Sequence, residues 1–397
     1  MVDIASSFAF SNEEKDVTNP IIQKNYTADK PVVNLVKAFK AKVVAVKGPQ
    51  ELDALLESTG VQLWNHFSKR AKGNLQRSVG SMKLDGNLYW ARLHLIRALK
   101  TELPKNRNLL NYIKSKLPQH IETLDQASRG MRDAQVGFTH DRNVKRILIA
   151  GFDPFGNRRL FAKAHNISAQ VALQFDGQNI QSNKTRAKVE AVIFPVSYQA
   201  FDKKEIERFL APYLNKVDAI VTFSQGAEKV IEIERFYANH RGGKTGNNSA
   251  SKSGTIISGG APFYETNLPV RKLLPGLRKR KRLQRQGLSM DKQFVYFDQS
   301  YKTTTRSEPS PFQVSDPKKN RNRPYFSMRK ISGAPTHGSG DNFFSNELPY
   351  RVAHLVHTAN KQKDISYGHL HLPSHYNLIY PTVREIDVLL KRLIETL

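Results

Sequence analysis

Two phenylalanines lie in a loop at the end of an apolar run, where burial would normally hide such side chains. The run Ile147–Ala150 stops at a glycine, which is typical of a buried strand that opens into a tight turn. The turn presents Phe152 and Phe155 together with an Asp-Pro pair that stiffens it. Aromatic rings on a loop at a strand end predict an apolar pocket for a small ligand.

A second group with catalytic potential is the histidine pair in GHLHLP, residues 368–373. Alternation along a strand puts His369 and His371 on the same face, so either ring can be a base or a packed, hydrogen-bonded core residue. A metal site on this pair is not expected, because no third ligand follows at a matching spacing. The chain contains no cysteine, which excludes disulfides, thiolate metal sites and thiol nucleophiles.

Several motifs, in the same order along the chain, resemble those of the pyroglutamyl peptidase I family, also called pyrrolidone-carboxylate peptidases. They are ILIAGFDPFG from Ile147, SQGAE from Ser224, IERFYAN from Ile233, DNFFSNE from Asp341 and GHLHLP from Gly368. The resemblance covers residues 144–397 and leaves the first third of the chain unmatched. It implies a hydrolase that removes an N-terminal pyroglutamyl residue from peptides.

The same resemblance implies a catalytic trio of Ser345, His371 and Glu234. The family nucleophile is a cysteine, and the matching position in this chain is Ser345. A serine hydroxyl needs an imidazole to take its proton, while a carboxylate fixes the imidazole tautomer and stabilises the imidazolium. Because a serine must lose its proton during attack, it demands tighter geometry than a thiolate. A slow or inactive trio is therefore the alternative.

Ser345 and Glu234 each have a structural interpretation as well. Ser345 lies just before a helix predicted to begin near Leu348, where a serine can cap free backbone N–H groups and Glu347 complements the helix dipole. Glu234 could form a salt bridge with the neighbouring Arg235 or face solvent at a strand edge. The resemblance favours Glu234 as the residue that orients the histidine, and it leaves Ser345 open between nucleophile and cap.

A pocket for the lactam ring of pyroglutamate is also implied by the resemblance. The matching pocket positions are Phe152, Phe155, Gln225 and Phe343, with Asn166 supporting the first loop. A flat neutral ring packs well against aromatic faces, and an amide can pair with its polar edge. No cofactor and no metal is expected for this chemistry.

Two departures from the family pattern concern charge near the site. After the glutamate strand the family carries an arginine, whereas this chain reads HRGGKTGNNSASKSG, in which Arg241 or Lys244 could substitute. Glu347 replaces a histidine beside the nucleophile position. Its negative charge would oppose an oxyanion unless the side chain points away.

The elements that must position these residues follow two patterns. Residues 31–143 show apolar stripes typical of helices, at 52–67, 87–103 and 109–124. Residues 144–397 alternate strands with helices, which predicts an α/β fold with a mainly parallel sheet covered by helices on both faces. Ligands of such sheets bind beyond the carboxyl ends of strands, where the motifs lie. Residues 1–30 are polar and aperiodic and are predicted to be a tail.

Predicted boundaries in the second region make these expectations specific. Strands are predicted at 147–150, 189–194, 219–223, 230–237, 325–331 and 367–371. Helices are predicted at 203–214, 268–283, 348–360 and 383–397. The stretch at about 278–324 interrupts this alternation and is predicted to be a basic insertion outside the core.

The composition is strongly basic, with a formal net charge of +27 over 397 residues and 39% hydrophobic residues. This charge biases the surface toward anionic partners such as nucleic acid, acidic proteins or anionic lipid. The run Arg278 to Arg285 predicts weak electrostatic attraction without base recognition, because aromatic residues that would stack on bases are sparse there.

Two domains, or one domain with large additions, are expected from the length, and an oligomer is possible. The first residues, MVDIASSFAFSNEEK, lack a basic region followed by a long apolar stretch, so no secretory signal is expected. No apolar run approaches the roughly 20 residues of a membrane-spanning helix. No membrane association and a cytoplasmic location are the resulting expectations.

Three functions of different classes follow from these observations. The first is a peptidase that removes N-terminal pyroglutamate with Ser345 in place of cysteine. The second is an inactive relative that binds a pyroglutamyl or other lactam-bearing ligand. The third is a basic interaction protein that uses the sheet as a scaffold. We expect the first, and the second is its main alternative.

Overall fold

The computed structural model describes most of the 397-residue chain. The described residues are 8–74, 84–107, 109–132, 135–138, 141–155, 165–226, 229–273, 295–298, 300–305, 333–359 and 364–397. The basic run Arg278 to Arg285, the strand predicted at 325–331 and most of the helix predicted at 268–283 lie outside these residues.

The first third of the chain is helical, as the apolar stripes predicted. Its helices are α1 (Asn12–Asp16), α2 (Pro20–Ala28), α3 (Lys30–Ala45), α4 (Pro49–Asn74), α5 (Leu84–Glu102) and α6 (Leu110–Ala127). The three predicted stripes fall in α4, α5 and α6. Within the described parts of the chain, no helix combines the length and the apolar character that crossing a membrane requires.

The prediction of a tail over residues 1–30 is wrong for the part that the structure describes. Ser11 and Glu14 form a capping box at the start of α1, in which each side chain accepts a hydrogen bond from the other residue's backbone N–H at 3.1 Å. Val17 and Ile22 are buried in the main core. Helices this short show too few turns for a recognisable apolar period.

Among the described residues of the remaining chain, seven strands form a central sheet in the order β10-β5-β13-β4-β1-β3-β2. Its strands are β1 (Val144–Phe152), β2 (Gln178–Ser182), β3 (Thr185–Phe194), β4 (Ala219–Gln225), β5 (Ile231–Glu234), β10 (Val295–Asp298) and β13 (Ser366–Leu372). Strands β3, β1, β4 and β13 are parallel, whereas β2 runs antiparallel to β3 and the parallel pair β5 and β10 runs antiparallel to β13. The predicted mainly parallel sheet is confirmed.

Short strand pairs and further helices surround this sheet. The pairs are β6 (Phe236–Ala238) with β9 (Phe263–Glu265), β7 (Arg241–Thr245) with β8 (Ser251–Gly254), and β11 (Lys302–Thr303) with β12 (Pro335–His337). The helices are α7 (Ile167–Phe175), α8 (Tyr198–Asp202), α9 (Glu205–Leu210), α10 (Val270–Leu273), α11 (Phe344–Thr358) and α12 (Ile379–Ile394).

Alternation along β1 explains how both faces of the sheet are covered. Ile147 and Ile149 belong to a core cluster that includes side chains of the N-terminal helices, α7 and α12. Leu148 and Ala150 belong to a second cluster, with side chains of α9 and α11. The N-terminal helices therefore share one continuous core with a face of the sheet.

One strand of the sheet comes from the predicted basic insertion. Strand β10 pairs in parallel with β5, so that Asp298 lies opposite Glu234. Val295 is fully buried. The expectation that the whole stretch at about 278–324 stands outside the core is therefore wrong for residues 295–298, because a strand of four residues is too short to show alternation within a polar segment.

Candidate active site

An imidazole and a buried carboxylate meet on the antiparallel strands β13 and β5. In the register of these strands His369 lies opposite Glu234, and His371 lies opposite Glu232. His371 reaches diagonally, so that its Nδ1 is 2.7 Å from Glu234 Oε1 and 3.8 Å from Glu232 Oε2. The pair predicted from the sequence is thus in direct contact.

The two structural interpretations of Glu234 are both wrong. Glu234 is 0% exposed, which excludes a solvated strand edge. The neighbouring Arg235 pairs with Glu265 at 2.6 Å, Nε to Oε1, instead of with Glu234. Because consecutive side chains of an extended chain point to opposite faces, Glu234 and Arg235 cannot readily meet.

Nearby carboxylates hold His371 in its charged form. Burial alone would lower the pKa of His371, but the charges of Glu234, Glu232 and Asp298 outweigh it and raise the pKa to about 9. Burial raises the pKa of Glu234, and the positive charge of His371 opposes this effect. His371 is therefore charged near neutral pH, and its ring lies against the buried carboxyl group of Glu234.

Asp298 is a site residue that the sequence analysis missed. It lies opposite Glu234 in the sheet, and it is buried. Burial raises its pKa to about 6, although the backbone N–H of Ser300 donates a 2.7 Å hydrogen bond to its Oδ1. The only signal in the sequence is an aspartate after a short apolar run, VYFD, and the polar surroundings conceal it.

The second histidine of the pair, His369, is part of the core. Its Nδ1 lies 2.7 Å from Thr222 Oγ1, and its Nε2 lies 2.8 Å from Ser224 Oγ. Since Thr222 Oγ1 donates to Gly368 O at 3.2 Å, Nδ1 is assigned as the ring donor and Nε2 as the acceptor. Burial and the charge of His371 lower the pKa of His369 well below 6.5, so this ring is neutral.

These side chains also provide a possible set of metal ligands. One potential ligand atom from each of Glu234, His369 and His371 lies within 4.8 Å of the other two. The expectation that no third donor accompanies the histidine pair is therefore wrong, because Glu234 comes from a distant part of the sequence. Both nitrogens of His369 are engaged by hydroxyls, so a bound ion would have to displace one of them. The donor set does not favour a resident metal.

Ser345 lies inside the first turn of α11. This helix begins at Phe344, earlier than predicted, and Pro349 lies within it. Phe343 occupies the N-cap position, and no side chain caps the helix. Ser345 Oγ donates to Gly340 O at 3.0 Å. The interpretation of Ser345 as a helix cap is therefore wrong, and its hydroxyl lies at the positive end of the helix dipole.

Gly340 connects Ser345 to the His371–Glu234 pair. A Cβ atom on Gly340 would collide with both carboxylate oxygens of Glu234, so the backbone there packs directly against that carboxylate. The carbonyl of the same residue accepts the Ser345 proton. Gly340 thus lies between Ser345 and Glu234. Among the described residues, however, no hydrogen bond joins Ser345 Oγ to the His371 ring.

The charge of Glu347 is neutralised by two arginines. Arg241 donates from Nε to Oε2 at 2.7 Å and from Nη2 to Oε1 at 2.5 Å. Arg351 donates from Nε to Oε1 at 2.8 Å. Glu347 is buried, whereas Lys244 is exposed and does not take this position. The arginine that accompanies the site thus compensates the unusual glutamate.

Two of the predicted pocket phenylalanines face each other. The rings of Phe155 and Phe343 are partly exposed, with centroids 5.5 Å apart and planes inclined by 52°. Phe152, by contrast, is 2% exposed and stacks on Phe201 with a centroid distance of 6.3 Å. Phe155 and Phe343 therefore offer surface to a ligand, while Phe152 mainly packs in the core.

The remaining predicted pocket residues hold the start of α7. Gln225 lies at the end of β4, and its Oε1 accepts from Ile167 N at 3.4 Å. Asn166 is the N-cap of α7, where its Oδ1 accepts from Ser168 N at 3.1 Å. The Asn166 Nδ2 donates to Asp153 O at 3.0 Å. Asn166 thus contacts the first loop.

Comparison with known proteins relates the chain to two groups. The model of the PA0049 N-terminal domain matches residues 4–122, and that of the PA0049 C-terminal domain matches residues 146–264. Uncharacterized protein PA0049 of Pseudomonas aeruginosa is 27% identical over 232 residues, 55% of this chain and 39% of that protein. The pyrrolidone-carboxylate peptidase of Lactobacillus acidophilus is 29% identical over 137 residues, 34% of this chain and 62% of the peptidase. Part of this chain is similar to pyrrolidone-carboxylate peptidases.

Solved pyrrolidone-carboxylate peptidases also match. A mutant pyrrolidone carboxyl peptidase from P. furiosus is 19% identical, with a TM-score of 0.41 and coverage of 64% of this chain and 99% of that chain. Pyrrolidone carboxyl peptidase from Thermococcus litoralis is 17% identical, with a TM-score of 0.42 and coverage of 64% of this chain and 94% of that chain. This chain spans between 39% and 62% of the length of the curated relatives named above. The matched C-terminal model ends before Ser345 and His371.

Proposed function

We propose that this protein is a hydrolase that removes an N-terminal pyroglutamyl residue from peptides, with Ser345 as nucleophile, His371 as base and Glu234 as the residue that orients it. The observation that carries the proposal is the 2.7 Å contact between His371 Nδ1 and the buried Glu234 Oε1. Sequence similarity to the pyrrolidone-carboxylate peptidase of Lactobacillus acidophilus supports the substrate class.

In the proposed reaction the contact on Nδ1 leaves Nε2 of His371 as the nitrogen that takes the serine proton. The Ser345 oxygen then bonds to the pyroglutamyl carbonyl carbon, and the carbonyl oxygen becomes an oxyanion. The dipole at the start of α11 stabilises this negative charge. His371 returns the proton to the leaving amine as the amide C–N bond breaks. Water then attacks the acyl–serine ester with His371 as base. This step releases pyroglutamate and returns a proton to the Ser345 oxygen.

Two changes must precede the reaction in this protein. His371 must first lose its own proton to act as a base, and because its pKa is about 9 the competent fraction grows as pH rises toward that value. Ser345 must also rotate from Gly340 O toward the imidazole. The lactam ring would pack against the exposed sides of Phe155 and Phe343, with the amide of Gln225 at its polar edge.

A second function is favoured by one specific observation. The Ser345 proton is donated to a backbone carbonyl instead of to an imidazole, and the imidazole is already charged. Both features suit a protein that binds a pyroglutamyl or other lactam-bearing ligand without cutting it. The proposal that the protein is a basic interaction module rests only on the net charge of +27.

Hydrolysis of a fluorogenic pyroglutamyl amide by the purified full chain tests the proposed function. We expect turnover in the wild type, a loss of about 10²-fold or more in kcat for Glu234→Gln, and no turnover for Ser345→Ala. Glu51→Gln is the control for Glu234, because it removes an exposed carboxylate in the N-terminal region. Exposed Ser253→Ala is the control for Ser345.

The outcomes separate the proposed functions. Turnover that survives Ser345→Ala would exclude the serine mechanism. Absence of turnover together with saturable binding of pyroglutamate, detected by chemical-shift changes, would establish the binding protein instead. Absence of both turnover and pyroglutamate binding would favour the hypothesis of a basic interaction protein. That hypothesis predicts salt-sensitive binding to anionic polymers.

A further inference from the structure

The first loop is held by two arginines that come from outside the sheet. Arg92 of α5 donates from Nη2 to Asp153 Oδ1 at 2.7 Å, and Arg129, just after α6, donates from Nη1 to Asp153 Oδ2 at 2.7 Å. Arg92 is 1% exposed and Asp153 is 2% exposed. In a site this dry, a charge-assisted contact orients the loop strongly, because no water can replace it.

Asp125 of α6 completes a neutral four-membered network. Its Oδ2 accepts from Arg129 Nε at 2.6 Å, and its Oδ1 lies 3.2 Å from Arg92 Nε. Burial alone would raise the pKa of Asp125, but the two arginines outweigh burial and hold the pKa below its usual value. Each aspartate of the network thus lies against both arginines, and pairing of this kind is how buried charges are tolerated.

Helix α5 also contacts the other side of the first loop. Asp85 Oδ2 accepts from the backbone N–H of Asn166 at 2.6 Å, at the start of α7. Asp85 and Arg92 are seven residues apart and therefore lie on one face of α5. One helix of the N-terminal region thus binds both ends of the segment that links Asp153 to α7.

We infer that the N-terminal helical region is required for ligand recognition, because Arg92 positions the loop that carries Phe155. Only Pro154 separates Phe155 from Asp153. Because its φ is fixed, the backbone between the two residues is stiff, and the position of Asp153 restricts that of Phe155. Phe155 in turn contacts Phe343, the other partly exposed ring of the proposed pocket. The inference rests on the proposed function for the chemistry of the ligand, and it assigns a role to the third of the chain that the family motifs leave unmatched.

Arg92 acts through Asp153 and not on the reacting atoms. Within the described residues, no contact of the network involves Ser345, His371 or Glu234. Release of the loop should therefore weaken recognition of the lactam ring more than the chemical step. For hydrolysis this predicts a higher KM with little change in kcat.

The experiment compares Arg92→Met and the charge-balanced Arg92→Met/Asp125→Asn with wild type. Hydrogen exchange of the backbone amides of residues 150–155 measures the loop directly, and we expect about tenfold faster exchange in both variants. KM for the pyroglutamyl amide should rise about tenfold while kcat stays within about threefold of wild type. Arg132→Met is the control, because it breaks the partly exposed pair of Arg132 with Glu57 in the N-terminal region.

Each readout can overturn the inference. Unchanged exchange in residues 150–155 of the double variant would exclude a positioning role for the network, whatever the activity. An equal rise in KM for Arg132→Met would show that any loss of stability in the N-terminal region has the same effect. If wild type does not turn over the amide, the dissociation constant of pyroglutamate replaces KM. The hydrogen-exchange result tests the inference even if the protein does not hydrolyse the amide.

Discussion

His369 and His371 lie two positions apart on β13 and differ in charge, since His369 is neutral and His371 is positively charged. Their ring centroids are 5.5 Å apart. His369 is neutral between two hydroxyls, whereas His371 is charged against Glu234. His369 is therefore a core residue, whereas His371 is the catalytic candidate, because His371 contacts the buried carboxylate of Glu234.

Substitution of these two histidines should have separate effects. His371→Gln should reduce hydrolysis by about 10²–10⁴-fold with a small change in melting temperature, because it removes the proposed base. His369→Leu should cost about 1–3 kcal/mol of unfolding free energy, because Thr222 and Ser224 lose a buried partner. Urea denaturation and steady-state kinetics on both variants measure the two effects. Equal loss of activity at equal stability would contradict the assignment.

Stability should depend on pH through His371. Its pKa in the folded state is about 9, above the value of about 6.5 expected for the unfolded chain. The stabilisation by its charge is therefore fully present below about pH 6.5 and is lost as pH rises through 9. The difference in unfolding free energy between wild type and His371→Gln should shrink over that interval. A difference that grows with pH would show that His371 is neutral in the folded protein.

Ser345→Cys should create a reactive thiol. The chain has no cysteine, so this would be its only thiol and could be labelled without interference. The imidazolium of His371 and the dipole of α11 should lower the pKa of the thiol below its usual 8.5 and favour the thiolate at neutral pH. The pH dependence of alkylation by iodoacetamide measures that pKa, and exposed Ser253→Cys is the control. A thiol pKa of 8.5 or above would contradict the proposed proximity to His371.

The pair of Arg241 and Glu347 should behave as a coupled unit. Arg241→Met leaves Glu347 with Arg351 as its remaining partner and should cost about 3–5 kcal/mol of unfolding free energy, since a buried charge loses its bidentate contact. The double variant Arg241→Met/Glu347→Gln should recover part of this loss. Additive costs in a double-mutant cycle would show that the two residues contribute independently.

Phe152 and Phe155 should separate stability from binding. Phe152→Ala removes a buried ring and should cost about 3–5 kcal/mol of unfolding free energy. Phe155→Ala removes a partly exposed ring and should weaken pyroglutamate binding with a smaller cost in stability. Thermal unfolding and titration with pyroglutamate distinguish the two effects. A larger stability loss for Phe155→Ala would place this ring in the core instead.

Long periodic elements were predictable because each depends on a pattern within one segment. The stripes of α4, α5 and α6 and the apolar run of β1 are examples, since burial of one face imposes a period on the sequence itself. Strand β10 and the helices α1 and α2 were not predictable. Each is too short to show a period, and partners from other parts of the chain stabilise it.

The sequence by itself determined the side chains of the site and the α/β class. It supplied an imidazole at His371, a carboxylate at Glu234 and a hydroxyl at Ser345, and it excluded a thiol. The tertiary structure alone decided which partners these groups find. Three contacts of the site join residues that are far apart in the chain. They pair Asp298 with Glu234, Arg241 with Glu347, and Arg92 with Asp153. Such contacts depend on which strands and helices pack together, and that information is not contained in any local pattern.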